Sequence, residues 1–352
     1  SSPSSLPPAT YHNYTSVFSF DLDEAVHPAW MARIPDHVSL ASLSIPGTHD
    51  TMTFDLVDNE IFQCQNHHLG TQLRSGLRYF DIRGRLITAD IGIFHGHVYT
   101  GYTFQDVLLA VFAFLDENPS EGIVMRIKQE GSPLKHKYNI TFEEAFNYYR
   151  LKNPATAPGC DAHLLYPWPT TSRMVPTMGE LRSKILILYE FPTVPTTSST
   201  LSPQLLPKAP QTTPPPPSTT TTSTINYYGI PWTSPHIVLE DLWIILSPEL
   251  LERKWDAIRQ NLVLAGASPD DGDVLFLSHL SASVGVLPIE AAAGPLPERT
   301  NGSVVDGMNE RTTLWLEAEE VEGYRQGGRG KTGVIMGDFM GKRLVESVLR
   351  RN

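Results

Sequence analysis

Cysteine is scarce in this chain: Cys64 and Cys160 are the only two among 352 residues. That excludes a disulfide-framed scaffold and leaves either one bridge, in an oxidising compartment, or two inert buried thiols. Long apolar runs are also missing. No stretch approaches the roughly 20 residues of a membrane span, so any lipid would be met from the water side. Positive charge is in deficit, with 27 Lys and Arg against 38 Asp and Glu and a net charge of -11. That excludes a nucleic-acid partner gripped through its phosphates, and it excludes strong electrostatic attraction to anionic membranes. No methionine leads the chain, which begins Ser1-Ser2-Pro3-Ser4-Ser5. That suggests a processed or trimmed N-terminus, which leaves room for a removed signal peptide. Three sequons, starting at Asn13, Asn139 and Asn301, fit a secreted and glycosylated protein, although each alone is a weak signal.

What is present is an ordinary globular composition, 41% hydrophobic, with one segment set apart. From about residue 192 to 224 the chain is nearly all Pro, Thr and Ser, including Pro214 to Pro217 and Ser218 to Thr224. Such a stretch buries too little apolar surface to offset its ordering entropy. A disordered or polyproline insertion is expected there, with a composition suited to O-glycosylation.

Short β-rich runs flank it at 40–45, 79–83, 92–95, 123–127, 185–189, 237–239, 274–277 and 334–336. Most lack polar alternation, as strands buried on both faces do. Helical spacing appears between them, at 104–118, 250–265 and 341–350. Alternation of this kind predicts an α/β fold, a TIM-type (β/α)8 barrel of irregular form, as a single domain over residues 30–352 after an extension at 1–29. The insertion falls between the fifth and sixth runs, where a loop belongs.

Chemistry concentrates just past the runs. His49 and Asp50 follow the first; Asp81 and Arg83 end the second; His95 ends the third. Lys128 and Glu130, Glu190, Glu240 and Asp241, Ser278 and His279, and Asp338 follow the others. In a TIM barrel those ends converge on one face. Two His, an Arg, a Lys and several Asp there make the composition of a phosphate-ester site. Other patterns carry less. Adjacent His67 and His68 diverge on any regular element and so make a poor metal pair. Asp270-Asp271-Gly272-Asp273 lacks the spaced ligands of a calcium loop. Residues 327–332 resemble a phosphate-binding loop but have Arg325 where a glycine is required. Trp168 and Trp232 are candidates either for rim contacts with a membrane interface or for packing against the barrel, and the sequence does not choose between them.

Three ordered pieces, Ser44-Ile45-Pro46-Gly47-Thr48-His49-Asp50, Phe80-Asp81-Ile82-Arg83-Gly84-Arg85 and His95-Gly96, together resemble the catalytic X region of phosphatidylinositol-specific phospholipases C of the bacterial type. The resemblance is strong over about residues 30 to 130 and continues in islands afterwards. It implies cleavage of phosphatidylinositol to diacylglycerol and inositol 1,2-cyclic phosphate, with glycosylphosphatidylinositol anchors as further substrates. It also implies roles: His49 as general base, His95 as general acid, Arg83 on the phosphate oxygens, and Asp50 coupled to Arg83 or the leaving group. Asp338 would orient His49, and Asp81 would orient Arg83 or His95. Lys128, Arg182 and Asp241 stand where inositol hydroxyls are bound, and Trp243 where an aromatic ring, usually Tyr, stacks on the sugar. Calcium-using relatives place an Asn after the first His and acidic residues after the second strand. Asp50 and Arg83 stand there in this chain, so no metal and no cofactor is expected. The expected partner is phosphatidylinositol at a membrane surface, engaged transiently by a monomer. The rival readings are an inositol-lipid-binding barrel without turnover and a phosphodiesterase acting on another phospholipid.

Overall fold

The computed structural model describes residues 8–88, 90–134, 140–166, 168, 173–193, 196–200, 220–224, 228–326 and 330–352. Ser1 to Ser5, Asn139, Pro214 to Pro217 and Gly327 to Arg329 lie outside them.

The main sheet is ten-stranded. Its members are β1 (Ser44–Thr48), β2 (Tyr79–Ile87), β3 (Asp90–His95), β4 (Val98–Thr103), β5 (Ile123–Gln129), β6 (Ile185–Glu190), β7 (Gly229–Pro231), β8 (Ile237–Glu240), β9 (Leu275–His279) and β10 (Gly333–Gly337). Eight run parallel in the spatial order β7-β6-β5-β2-β1-β10-β9-β8, which is a TIM-type order. Helices Leu69–Arg74, Phe104–Glu117, Phe142–Leu151, Leu251–Ala267 and Met308–Gln326 connect the strands, and Lys342–Leu349 follows the last. The helix at Phe104–Glu117 starts where its sequence says it should. Thr103 accepts from the Asp106 amide and Asp106 reaches back, a reciprocal cap, and the helix stops before Asn118-Pro119.

Three details depart from expectation. The run at 92–95 is not a barrel strand. It belongs to β3, which folds back antiparallel on β2 with Gly84 opposite Ile93. The eighth parallel strand is instead β7, too short and too rich in Gly and Pro to stand out. The insertion therefore joins β6 to β7, the fourth and fifth parallel strands. At its described ends Thr196–Thr200 and Thr220–Thr224 form an antiparallel ladder rather than disordered chain, as β-branched Thr favours. The first run also starts later, because Leu40–Ser42 is a 3-10 turn capped by the Ser39 side chain.

The barrel is open at one place. Among the described residues β7 pairs with β6 alone and β8 with β9 alone. Residues 232–236 join β7 to β8, five residues where a parallel neighbour needs a crossover of about a dozen or more.

Alternate residues sort the core. Ile45, Tyr79, Val124, Leu186, Leu188, Leu277, Val334 and Met336 fill the barrel interior. Phe80, Ile82, Met125, Ile127, Ile187 and Ile335 face the helices. Gly47 belongs to the interior series, and a Cβ there would come within 2.5 Å of the Tyr79 Cβ. The large Tyr79 ring thus takes the volume that residue 47 leaves. Below the barrel, fully buried Arg78 donates through Nη2 to Glu121 at 2.7 Å and through Nη1 to the carbonyls of Leu73 and Leu77, each at 2.8 Å. Residues ahead of position 30 are integrated too: Tyr14, Phe18, Phe20 and Leu22 are buried. Cys64 and Cys160 are both buried free thiols.

Candidate active site

The interior series that are apolar at the bottom of the barrel become charged at the top. On β2 the sequence inward is Tyr79, Asp81, Arg83; on β5 it is Val124, Arg126, Lys128; on β6 it is Leu186, Leu188, Glu190. β9 ends the same way in His279, β1 leads to His49 and β10 to Asp338. Strand periodicity alone therefore gathers the charges at one mouth. Register sets their heights, with Asp81 opposite Arg126 and Arg83 opposite Lys128. His95 arrives differently: β3 runs back down along β2, and Gly96, at φ 60°, turns the chain into β4.

His49 is fixed from both ring nitrogens. Its Nδ1 lies 2.9 Å from Asp338 Oδ1. Arg83 Nη2 donates to its Nε2 at 2.7 Å. A guanidinium can only donate, so Nε2 carries a lone pair and the imidazole proton sits on Nδ1, facing Asp338. Burial, and then the Arg83 charge, hold the His49 pKa well below the ordinary 6.5. His49 is thus a neutral base. Burial pushes the Asp338 pKa up, and the Asp50 charge adds to it.

Asp50, with a left-handed φ of 41°, sits at the centre. Its Oδ2 is 3.1 Å from Arg83 Nη1, 3.2 Å from His49 Nε2 and 3.4 Å from His95 Nε2. Arg83 is also held at Nε by Asp81 Oδ2 at 3.0 Å. Asp81 meets Arg126 Nη1 through its other oxygen at 3.3 Å. Burial opposes ionisation of Asp81, but the two guanidinium charges outweigh it and keep its pKa well below the usual value. The His95 ring lies 6.2 Å from that of His49. Its Nδ1 donates to the Phe62 carbonyl at 2.8 Å, which leaves Nε2 facing Asp50 and the opening.

These groups surround a cavity of about 300 Å³ lined by His49, Arg83, His95, Lys128, Asp241, Trp243 and Asp338, together with Phe62, Cys64, Arg126, Glu130 and Ser281. Lys128 is tied to Glu130 at 3.1 Å. Asp50 and Asp81 support the wall. Nine of the ten site residues expected from sequence therefore meet at this mouth, and Arg182 does not. It precedes β6, at the opposite end of the barrel, where it donates to the carbonyls of Met31, Ser120 and Ile34 and to Asp36. A residue ahead of a parallel strand cannot reach the face where strands end.

Two tryptophans that the sequence left open between the rim and the barrel pack against the protein. Trp168 is buried, with its indole N–H given to the Met174 carbonyl. Trp232 stacks on Arg126, 3.9 Å from guanidinium carbon to ring centroid, so neither is a free rim residue. Sequence reasoning also missed Arg126, although it lies two residues before Lys128 as Asp81 does before Arg83. His279, buried with its ring 5.6 Å from that of His49, lies beneath the cavity.

Among the described residues His49, Asp50 and Cys64 offer atoms close enough together to hold a cation. Two of the three already face the Arg83 guanidinium, whose charge would oppose one.

Comparison with known proteins agrees with this geometry. Residues 43–190 match the family model of the phosphatidylinositol-specific phospholipase C X domain. A 1-phosphatidylinositol phosphodiesterase of Listeria monocytogenes is 27% identical over 329 residues, 92% of this chain and 84% of that protein. One from Staphylococcus aureus is 35% identical over 163 residues, 45% of this chain and 49% of its own length. The solved structure of the phosphatidylinositol-specific phospholipase C from Listeria monocytogenes superposes with a TM-score of 0.63 at 25% identity, covering 93% of this chain and 99% of that one. With its TIM-type barrel and the X region matched at residues 43–190, the chain is similar to the bacterial phosphatidylinositol-specific phospholipases C in both sequence and fold.

Proposed function

We propose that this protein is a phospholipase C that cleaves phosphatidylinositol by proton transfer between two histidines, without a metal. The observation that carries the reading is a neutral His49, held between Asp338 and Arg83, facing His95 across a cavity of headgroup size. His49 Nε2 takes the proton of the inositol 2-hydroxyl, and that oxygen forms a bond to phosphorus. The bond from phosphorus to the glycerol oxygen breaks, and His95 Nε2 delivers a proton to that oxygen. The products are diacylglycerol and inositol 1,2-cyclic phosphate. Arg83 turns its fork from the Nε2 of His49 to the non-bridging phosphate oxygens, where it supplies the charge a metal would otherwise bring. Asp50 steadies the protonated His95, and Asp81 holds Arg83 in place. Lys128 and Asp241 contact inositol hydroxyls, and Trp243 lies along the ring.

The lipid is met at a membrane surface. Beside the cavity Ile61, Trp243, Ile244, Leu246 and Val284 are exposed, at 63%, 46%, 50%, 67% and 63%. Ile244 and Val284 belong to a short ladder in which Ile244 pairs with Ser283 and Ile245 with Val284. With a net charge of -11, apolar insertion rather than charge attraction would hold the protein there. No described helix is long and apolar enough to cross a membrane. Secretion and glycosylation at Asn13 and Asn301 complete the proposal. Both asparagines are exposed at turns, with φ of 67° and 51°.

Phosphorus NMR with phosphatidylinositol micelles, with and without chelator, tests the reading. A cyclic phosphate signal insensitive to chelator is expected. Turnover that stops with chelator would point to a metal-dependent phosphodiesterase, and binding without turnover to a lipid-binding barrel. Glycosylated inositol lipids form the second substrate panel.

A further inference from the structure

Residues 62–65 run across the mouth of the barrel outside any strand or helix. They nevertheless touch the His95 ring, the His49 backbone and the chain on either side of Asp338. The Phe62 carbonyl accepts from His95 Nδ1 at 2.8 Å. The Cys64 carbonyl accepts from the Phe339 amide at 2.9 Å, and its thiol lies 3.9 Å from His95 Nδ1. Gln65 Nε2 donates to the His49 carbonyl at 2.7 Å and to the Gly337 carbonyl at 3.0 Å. Gln65 is 1% exposed, so water does not supply these bonds.

The two carbonyls that Gln65 bridges mark where the β1–β10 ladder ends. Thr48 is the last paired residue of β1 and Gly337 the last of β10. The next residues are His49 and Asp338. The last backbone rung is the His49 amide donating to the Gly337 carbonyl at 3.2 Å; past it no strand bond ties the two chains, and the 2.9 Å contact between His49 and Asp338 depends on their staying together. The Gln65 amide acts as one more rung.

That segment is held in turn by the N-terminal hairpin, Ala9–Tyr11 paired with Tyr14–Ser16. Gln63, 1% exposed, donates through Nε2 to the Tyr11 hydroxyl at 2.6 Å. The Tyr11 ring lies 5.8 Å from those of Phe20 and Phe339, and Phe339 is the neighbour of Asp338. We propose that Gln65 is a positioning residue for the His49–Asp338 pair, kept in place by the N-terminal hairpin through Tyr11 and Gln63. The inference rests on the catalytic reading above.

The test uses the full chain in three forms: wild type, Gln65→Ala and Tyr11→Phe. Kinetics on phosphatidylinositol micelles are read beside the downfield proton resonance of His49 Nδ1–H, assigned by its loss in His49→Ala. Gln65→Ala is expected to lower kcat by about 10- to 100-fold with KM little changed, and to shift or broaden that resonance. Tyr11→Phe keeps the ring packing and removes one acceptor, so a smaller change in the same direction is expected. An unchanged kcat and an unchanged resonance in Gln65→Ala overturn the proposal. Should that variant fail to fold, Tyr11→Phe decides by the same two readings. A change in Gln65→Ala with none in Tyr11→Phe removes the hairpin from the proposal and keeps Gln65. If wild type itself turns over no phosphatidylinositol, the proposed function has failed, and the resonance alone judges the positioning.

Discussion

Arg83 holds Nη1 3.1 Å from the Oδ2 of Asp50, the same oxygen that faces both histidines. One carboxylate oxygen thus lies among three groups, two of which, Arg83 and His95, it serves at different stages. At rest it balances the guanidinium. When Arg83 moves to phosphate, it is free to attract the protonated His95. Arg83→Ala is therefore expected to slow turnover by about 100- to 1,000-fold, the scale of losing one charge-stabilising donor. Kinetics on phosphatidylinositol micelles check it.

The same substitution has a pH signature. The Arg83 charge helps keep His49 unprotonated, so the acidic limb of kcat/KM in wild type is expected below pH 6.5. Without Arg83 the limb should move to higher pH. A limb that stays in place in Arg83→Ala would mean that His49 is not the group titrating.

His49→Ala and His95→Ala should each lower turnover by about 100- to 10,000-fold. Melting temperatures close to wild type would show that the chemistry and not the fold was lost. Full activity in both variants would sink the mechanism.

Arg182 gives a contrast. Its donors serve the backbone carbonyls of Met31, Ser120 and Ile34. Arg182→Ala is expected to destabilise the protein by about 1–3 kcal/mol, leaving carbonyls unmet, with KM unchanged. Lys128→Ala and Asp241→Ala, at the cavity, should raise KM with little effect on melting. Equilibrium unfolding and steady-state kinetics on the three variants separate the classes.

Beneath the barrel, Glu121→Ala would leave the Arg78 guanidinium buried without its carboxylate. The expected cost is about 3–5 kcal/mol, read by denaturant unfolding. Acid should also destabilise the wild type. Burial depresses the pKa of both His49 and His279, whose stabilising contribution is complete above the unfolded value of about 6.5 and is lost as pH falls through the lower folded values. Melting temperature should drop between about pH 7 and 5, and less in His279→Gln.

Much of this was legible in the chain because strands write their chemistry at a spacing of two. Asp81 and Arg83 announce a common face, and His49, Lys128 and Asp338 stand just past apolar runs. What stayed hidden was set by partners far away in sequence. The run at 92–95 looks like any buried strand, and only pairing shows that it turns back along β2. β7 hides in three residues, two of them Gly and Pro. Arg182 and Arg83 are alike as residues; the end of the barrel on which each falls decides what it does. Gln63 and Gln65 carry no sequence signal, since an amide becomes informative only when the carbonyls it meets are known.

The gap between β7 and β8 gives the barrel a property that a closed ring lacks. A ring of strands cannot widen at one point without stretching its other ladders. This sheet is a rolled strip, with Pro231 near one free border and Ile237 near the other. The spacing of those borders is therefore set by the short link at 232–236 and by side-chain packing, and not, among the described residues, by strand-to-strand hydrogen bonds.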